Sequence, residues 1–444
     1  MPSAPEASRA SSATALAQGA AGVLLANASG AVLALVSQVI LARWLGVAAY
    51  GLYVYALAWV ALLGLVALRG TDTATLRFVA AYAGQGLTGS ITCFIAFARR
   101  RTLASSIVVA ALVAVAAACL GERLAAGGSL AFSLAAGLLL PNTALQLSTS
   151  QLVALGRPVL SQVLQGIARP LLLLALLAAW RSFVTQPLAA SQALIANALA
   201  CLAVLAFAAS RAQEAVTGVP TDKREVAVAR ASVDRAQWRA VSSAMLGMAL
   251  GQALIAQADV LLLGTLAGTA AAGVYAAGAR LASLVTFGIV SVNSVLAPRI
   301  ADLHARQCPE ELQASVTHAA RLTLAWSVCA VALLLLLARP LLTLFGPEFV
   351  TAAPLLLLLG TAQLVLAASG SVGLLLSMTG HQRDALVVVA GGAALTVVLN
   401  LALIPRFGAW GAATATLVAT AARSIALTLL VRRRLGIRPS ALGW

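Results

Sequence analysis

Apolar segments of about 20 residues recur along the whole chain, and they constrain its fold more than any other feature. A helix needs about 20 mostly apolar residues to cross a membrane. Only 9% of the residues are charged and 61% are hydrophobic, which excludes an ordinary soluble domain. The sequence predicts an all-α polytopic membrane protein with about 12 transmembrane helices. The segments lie at residues 14–42, 48–68, 102–120, 129–154, 159–180, 187–209, 238–264, 271–293, 319–338, 354–378, 384–404 and 408–431.

An internal repeat divides the chain into two halves. Gly46–Tyr53 has a second copy at Gly268–Tyr275, and both copies read Gly, four residues, Gly, one residue, Tyr. The offset of 222 residues is half of the 444-residue chain. Glycines at both positions should precede a tyrosine by chance in roughly 1% of cases, so two copies in register indicate a duplication.

Each half contains six apolar segments, so both halves enter the membrane from the same side. The repeat is therefore predicted to be parallel, with its pseudo-twofold axis along the membrane normal. We expect two six-helix lobes around a central cavity. The predicted divisions are an N-terminal lobe at 1–209, a cytoplasmic linker at 210–237, a C-terminal lobe at 238–431 and a basic cytoplasmic tail at 432–444.

Basic residues are distributed unevenly between the two sides of this topology. Twenty of them lie on the side of the termini, and five lie on the other side: Arg43, Arg123, Arg181, Arg339 and Arg406. The positive-inside rule predicts cytoplasmic N- and C-termini in a bacterial inner membrane. Loop topology thus accounts for the net charge of +16, and a nucleic-acid partner is not expected.

Two of the connections on this basic side, 71–101 and 299–318, are unlike the short loops elsewhere and mix apolar with charged residues. They are either interfacial helices that lie against anionic headgroups or ordinary basic loops. The five isolated cysteines and three scattered histidines form no metal-binding motif, so neither a metal nor a cofactor is expected.

Arg169 is the most deeply placed charge. It lies about ten residues into its segment, so roughly 15 Å deep in a core of about 30 Å. Gln162, Gln165 and Arg169 are spaced three and four apart, which predicts one polar helical face. Pro170 removes a backbone hydrogen bond and predicts a kink. Because lipid cannot satisfy this face, Arg169 either lines a cavity or makes a buried structural contact.

Asp259 and Arg280 are charged residues in adjacent apolar segments. Asp259 lies nine residues before Gly268, and Arg280 lies nine residues after Ala271, so both are about 13 Å from the outer helix ends. Equal depth predicts an ion pair between them. The pair is either a structural lock or a proton or cation coupling site.

Amides in the first segment of each half add to this polar set. Asn27 and Gln252 lie in these segments, and single amides of this kind often only hold helices together. Together with Gln162, Gln165, Arg169 and Arg280 they indicate a wet cleft between the lobes. Arg169, Arg280 and Arg423 against Asp259 give it a balance of +2, which favours an anionic ligand such as a lipid-linked phosphate.

Several short motifs resemble those of the polysaccharide flippases in the multidrug/oligosaccharidyl-lipid/polysaccharide exporter superfamily. The resemblance implies lobes around a cavity that opens alternately to either side, and transport of undecaprenyl-(pyro)phosphate-linked oligosaccharides, often coupled to an ion gradient. Membrane lipids and other polysaccharide-assembly proteins are further expected partners. The motifs are Leu41-Ala42-Arg43-Trp44-Leu45-Gly46, Tyr50-Gly51-Leu52-Tyr53, Asp259 to Tyr275, Leu399-Asn400-Leu401, Ile404-Pro405-Arg406-Phe407-Gly408 and Gly411-Ala412-Ala413.

The leading prediction is therefore a flippase for surface polysaccharide (O-antigen or exopolysaccharide) biosynthesis that works by alternating access. A multidrug/cation antiporter of the same fold is the alternative, although a net basic cavity suits cations poorly. A polytopic glycosyltransferase or polymerase is the rival from another class. The sequence contains no paired carboxylates and no nucleophile with a base, so an enzyme is not expected.

Overall fold

The computed structural model describes residues 4–124, 128–183, 188–218 and 235–441, and its regular elements in these ranges are all helical. The first half contains seven α-helices and a π-helical turn: α1 (Ala4–Leu68), α2 (Thr71–Gly84), α3 (Thr88–Leu124), α4 (Gly128–Ala154), α5 (Pro158–Val163), the π turn (Leu164–Ala168), α6 (Arg169–Phe183) and α7 (Ala190–Thr217). The second half contains α8 (Arg235–Leu266), α9 (Thr269–Ser283), α10 (Thr286–Ala305), α11 (Pro309–Leu336), α12 (Ala338–Phe345), a 3-10 helix (Pro347–Ala352), α13 (Leu355–Ala368), α14 (Val372–Met378), α15 (Gln382–Phe407) and α16 (Ala409–Leu435).

The first helix contains two membrane spans. With 65 residues, α1 would be about 98 Å long, about three times the hydrocarbon thickness of a bilayer. Gly46 breaks it with φ 72° and ψ 171°. Gly268, the equivalent residue of the second repeat, precedes α9 with φ 93° and ψ 158°. Only glycine adopts this backbone conformation readily, so both repeats turn at the same position for the same reason.

The described helices account for the predicted number of spans. Ten helices are long and apolar enough to cross a membrane, and α9 with α10, which meet at a 42° bend, forms an eleventh. The division of α1 at Gly46 gives the twelfth. The prediction of an all-α membrane protein with about 12 transmembrane helices is confirmed.

The first of the two long basic connections contains a separate short helix, α2, and the second contains none. The apolar residues before Arg99 are the first turns of α3, which continues for 37 residues. Ile91, Phe94 and Ile95 in these turns are buried and therefore cannot lie against headgroups. The second connection is the end of α10 and the start of α11, joined through residues 306–308. Most of the predicted linker, residues 219–234, lies outside the described residues, and α7 extends to Thr217.

Packing divides the chain into two compact units. The first unit contains the described parts of Met1–Leu41, Leu63–Glu122 and Gly127–Gly247. A cluster of aromatic rings lies in it, around Trp238 at the start of α8. The indole contacts Phe94 and Phe97 with ring centroids 5.0 and 5.2 Å away, and its Nε1 donates to Tyr82 Oη at 2.8 Å.

The second unit contains the described parts of Ala42–Leu62, Arg123–Ala126 and Met248–Trp444. The half of α1 that follows the break thus packs with the C-terminal helices. In this unit a Cβ on Gly264 would collide with the ring of Tyr55, so the two helices touch at a glycine. The division of the sequence into lobes at 1–209 and 238–431 stays a prediction, and packing assigns Ala42–Leu62 differently.

Candidate functional site

Arg169 is at the centre of a polar cluster in the first unit. Its Nη1 donates to Asn142 Oδ1 at 2.9 Å, and its Nη2 and Nε donate to Asn197 Oδ1 at 3.1 and 3.3 Å. Asn142 lies on α4 and Asn197 on α7, and both are buried. Two helices thus direct neutral acceptors at one guanidinium. The two amide oxygens accept three hydrogen bonds from the guanidinium but leave its positive charge uncompensated.

A π-helical turn places Arg169 in this position. The turn spans Leu164–Ala168, and the Arg169 backbone N–H donates to the Leu164 carbonyl, five residues back. Pro170 has no N–H to donate, so the sequence predicts an irregular helix here. The structure shows this irregularity as the wider π-helical turn. Turns of this kind are rare and frequently occur at functional sites.

The π turn changes the predicted polar face. The expectation of one regular stripe assumed 3.6 residues per turn, which the wider turn interrupts. Gln165 donates to Thr149 Oγ1 on α4, and Arg169 reaches Asn142 on the same helix, so these two residues both face α4. Gln162 lies before the interruption, in α5, and is partly exposed.

Asn27 lies beside the π turn. The first half of α1 crosses the turn at two glycines, and a Cβ on Gly30 would lie 3.2 Å from Gly166 Cα. Asn27 is one turn earlier on α1 and is exposed. Asn27 therefore lies on one of the two segments that cross here, and Gln165 lies on the other.

A second polar cluster surrounds Asp259 in the second unit. Tyr275 Oη and Thr416 Oγ1 each donate to Asp259 Oδ2 at 2.7 Å, and Asn400 Nδ2 donates to Oδ1 at 2.7 Å. These partners lie on α9, α16 and α15, so four helices meet at one carboxylate that is 6% exposed. The Oδ1 atom of Asn400 is buried and has no hydrogen-bond partner.

The predicted ion pair between Asp259 and Arg280 is not formed. The salt bridges among the described residues are Arg211–Glu214, Arg306–Asp302 and Arg434–Asp384. Tyr275, which faces Asp259, is five residues before Arg280, so Arg280 projects about 140° away around α9. Arg280 is exposed. Counting residues gave both charges the same depth, but it did not fix their rotation about the helix axis.

Gln252 lies on α8, two turns before Asp259 and on nearly the same face. It is exposed, whereas Asp259 is buried. Gln252 takes no part in the hydrogen bonds that Tyr275, Asn400 and Thr416 donate to Asp259.

Sequence reasoning missed three residues of these clusters. Asn197 and Thr416 were not singled out, and Asn400 was noted only as part of a motif. Asn197 is an amide within an otherwise apolar segment, so a survey of all polar residues in the spans would have found it. Thr416 carries no such signal, because threonines in spans usually bond to their own helix, as Thr416 also does to Ala412.

No set of three or more His, Cys, Asp or Glu side chains that could hold a metal occurs among the residues the structure describes. The two clusters instead offer a cation with neutral acceptors and a carboxylate with neutral donors. Such groups can bind an oppositely charged ligand, or a proton at the carboxylate.

Comparison with known proteins identifies the fold and the family. An inward-facing multidrug resistance MATE transporter of the MOP superfamily has a TM-score of 0.68 and 14% identity, covering 92% of this chain and 94% of its own. The lipid II flippase MurJ in an inward closed conformation has a TM-score of 0.69 and 13% identity, covering 92% and 87%.

A MOP superfamily transporter from Pyrococcus furiosus has a TM-score of 0.58 and 14% identity, covering 93% and 95%; it is described as having a binding pocket of reverse polarity that suggests a different function. No curated protein sequence matches the chain. The model of the polysaccharide biosynthesis protein family matches residues 16–304, more than half of the chain. The chain therefore belongs to the polysaccharide biosynthesis protein family and is a multi-pass membrane protein with the transporter fold of the MOP superfamily.

Proposed function

We propose that the protein is a flippase that moves an anionic undecaprenyl-(pyro)phosphate-linked oligosaccharide across the bacterial inner membrane by alternating access. The family match and the fold support a flippase or transporter. The anionic cargo is supported by one observation, the uncompensated charge of Arg169. In this proposal the termini are cytoplasmic and the product serves surface polysaccharide assembly.

The position of Arg169 makes its charge costly without a ligand. It lies eleven residues after Pro158 in the 26-residue span Pro158–Phe183, near the middle of the span. A charge at this depth costs about 2.5–3.5 kcal/mol on insertion scales. Asn142 and Asn197 orient the guanidinium but do not neutralise it. A phosphate group would supply the missing negative charge and accept charge-assisted hydrogen bonds.

The same observation argues against the multidrug/cation antiporter. A cationic drug near Arg169 would meet like charge in a medium of low dielectric constant, where repulsion is strong. The Pyrococcus furiosus transporter supports the idea that this fold accepts pockets of different polarity.

The experiment replaces Arg169 by Lys, Ala and Glu and measures flipping of a fluorescent lipid-linked oligosaccharide in proteoliposomes. We expect Lys to retain part of the activity, and Ala and Glu to lose it progressively. Arg157→Ala is the matched control, because Arg157 is an exposed arginine at the start of the same span. Full activity of both Arg169→Ala and Arg169→Glu would remove Arg169 from the mechanism.

We further propose that Asp259 couples transport to a proton or cation gradient. A buried carboxylate without a counter-charge is costly, so it needs a proton or a cation. The oxygens of Asp259, Thr416 and Tyr275, with the unpartnered Oδ1 of Asn400, are ligands that suit a hard cation. The alternative is that these hydrogen bonds have only a structural role and hold the four helices together.

The variant Asp259→Asn distinguishes a role of Asp259 in gradient coupling from a purely structural role. The amide keeps the size of the side chain but can neither release a proton nor supply a negative charge to a cation. We expect transport in proteoliposomes to lose its dependence on an imposed proton or sodium gradient while the variant stays folded. An unchanged gradient dependence would exclude coupling at Asp259.

A further inference from the structure

A cleft of about 600 Å³ lies in the second unit between α10 and α11. Arg299 from α10 and Glu311 and His318 from α11 line it, together with Ser291, Ser315 and apolar residues of both helices. The two helices are consecutive and are joined by a short turn, so they run antiparallel and their connected ends lie together.

Arg299 and Glu311 lie towards the same end of the cleft. Glu311 is two residues after the start of α11, and Arg299 is six residues before the end of α10, so both lie towards the connected ends. Leu322 is eleven residues beyond Glu311, or about 16 Å further along α11. Val295 is one turn deeper than Arg299 on α10. Arg299 and Glu311 therefore lie towards the connected ends of the cleft, and Val295 and Leu322 lie further from these ends, with His318 between Glu311 and Leu322.

The two charges that line the cleft are not paired with each other. Neither Arg299 nor Glu311 takes part in any of the three salt bridges among the described residues. The neighbouring Arg306 has its charge offset by Asp302 at 3.5 Å. A purely anionic molecule in the cleft would be repelled by Glu311, and a purely cationic one by Arg299. A zwitterion, with a negative and a positive group on one molecule, complements both.

Side-chain packing on two sides of the cleft holds α10 and α11 together. On one side the lining residues Leu296 and Ala319 are buried and belong to a hydrophobic cluster, which forms the floor. Beyond the deep end, the Trp326 indole occupies the space that a Cβ on Gly288 would need, and its Nε1 donates to the Val285 carbonyl at 3.3 Å. The cleft is thus a built feature of the helix pair.

The other side of the cleft is open and apolar. Val295 is 71% exposed and Leu322 is 54% exposed. These exposed aliphatic side chains offer apolar contacts to the acyl chains of a lipid. An amphiphile in the cleft could therefore leave its hydrocarbon chains in the bilayer while its headgroup contacts Arg299 and Glu311.

We propose that this cleft binds a zwitterionic aminophospholipid of the surrounding membrane. Its phosphate accepts hydrogen bonds from Arg299, its ammonium donates to Glu311, and its acyl chains lie along Val295 and Leu322. A primary ammonium has three N–H donors for a carboxylate, whereas a quaternary choline group has none. The site thus favours phosphatidylethanolamine over phosphatidylcholine and over phosphatidylglycerol.

The test measures lipid retention by the full-length protein in detergent, using native mass spectrometry with the three lipids at matched acyl chains. We expect phosphatidylethanolamine to bind about tenfold more tightly than either other lipid, equivalent to about 1.4 kcal/mol. Glu311→Gln should abolish this preference, and Arg299→Gln should weaken both phosphatidylethanolamine and phosphatidylglycerol. The matched controls are Glu310→Gln and Arg321→Gln, which change exposed charges on α11 outside the cleft lining.

Two results would overturn the proposal. One is equal retention of the three lipids by the unaltered protein, and the other is a preference that Glu311→Gln leaves intact. Tighter retention of phosphatidylglycerol would instead identify a site for anionic lipids and would also contradict the zwitterion. Flipping activity of Arg169 variants does not bear on this result, so the lipid site and the proposed transport function are tested separately.

Discussion

Gly51 and Gly273, which occupy equivalent positions in the two copies of the repeat, pack directly against each other. A Cβ on Gly273 would lie 2.8 Å from Gly51 Cα, and a Cβ on Gly51 would collide with the Thr269 carbonyl oxygen. The repeated glycines thus have two uses. Gly46 and Gly268 turn the chain, and Gly51 and Gly273 let the helices that follow touch through their backbones.

The first prediction concerns this contact. Gly51→Ala and Gly273→Ala should each destabilise the protein by about 1–3 kcal/mol, because the added methyl group meets rigid backbone. Thermal unfolding in detergent measures the change. Gly391→Ala is the control, since a Cβ there has no neighbour within 4 Å and Gly391 also lies in a helix of the second unit. Equal melting temperatures for Gly273→Ala and Gly391→Ala would contradict the close packing.

Part of this arrangement could be predicted from the sequence, because depth along a helix follows from counting residues. The count located the two turns and placed Arg169 near the middle of its span. Rotation about the helix axis was less predictable. The π turn before Arg169 alters the phase of its helix, and Arg280 faces away from Asp259 although both lie at similar depth.

The partners of the buried charges could not be predicted for a related reason. Asn197 reaches Arg169 from 28 residues away, and Thr416 reaches Asp259 from 157 residues away. Such contacts depend on which helices are neighbours, and the pattern of apolar residues does not specify this. Polar residues in lipid must find partners, so the existence of these contacts was predictable while their identity was not.

The second prediction separates the charge of Arg169 from its role in packing. Asn197→Asp replaces the amide oxygen that accepts from Nη2 and Nε by a carboxylate of the same size. The acid would neutralise the guanidinium, so binding and flipping of an anionic lipid-linked oligosaccharide should fall about tenfold or more, while the charge-assisted hydrogen bonds keep the protein folded. Flipping assays and melting temperatures measure the two effects.

Asn197→Ala is the control for the second prediction. It removes the acceptor without adding a charge, so it should lower stability by about 1–3 kcal/mol, since it leaves partly buried donors of Arg169 unsatisfied. If Asn197→Asp transported as well as the unaltered protein, the positive charge of Arg169 would have no part in cargo binding.

The third prediction concerns the hydrogen bonds of Asp259. Tyr275→Phe removes the 2.7 Å hydrogen bond to Oδ2 and should cost about 1.5–3 kcal/mol of stability if the carboxylate is charged. Asp259→Asn removes the charge. Because both changes act on one interaction, their effects on the free energy of unfolding should not add.

A double-mutant cycle measures this coupling, and Tyr53→Phe paired with Asp259→Asn provides the reference cycle with a buried tyrosine of the other repeat. Additivity in the Tyr275 cycle would show that the phenol and the carboxylate do not stabilise each other.

The fourth prediction tests the aromatic cluster at the start of α8. Trp238 is 2% exposed and contacts Phe94 and Phe97, so Trp238→Ala should cost about 3–5 kcal/mol through the cavity that it leaves. Trp238→Phe keeps an aromatic ring but loses the hydrogen bond to Tyr82 Oη, and its cost should be smaller. Melting temperatures in detergent rank the stabilities of these variants. Trp410→Ala is the control, because Trp410 is 50% exposed. A smaller loss for Trp238→Ala than for Trp410→Ala would mean that this cluster does not anchor α8 in the first unit.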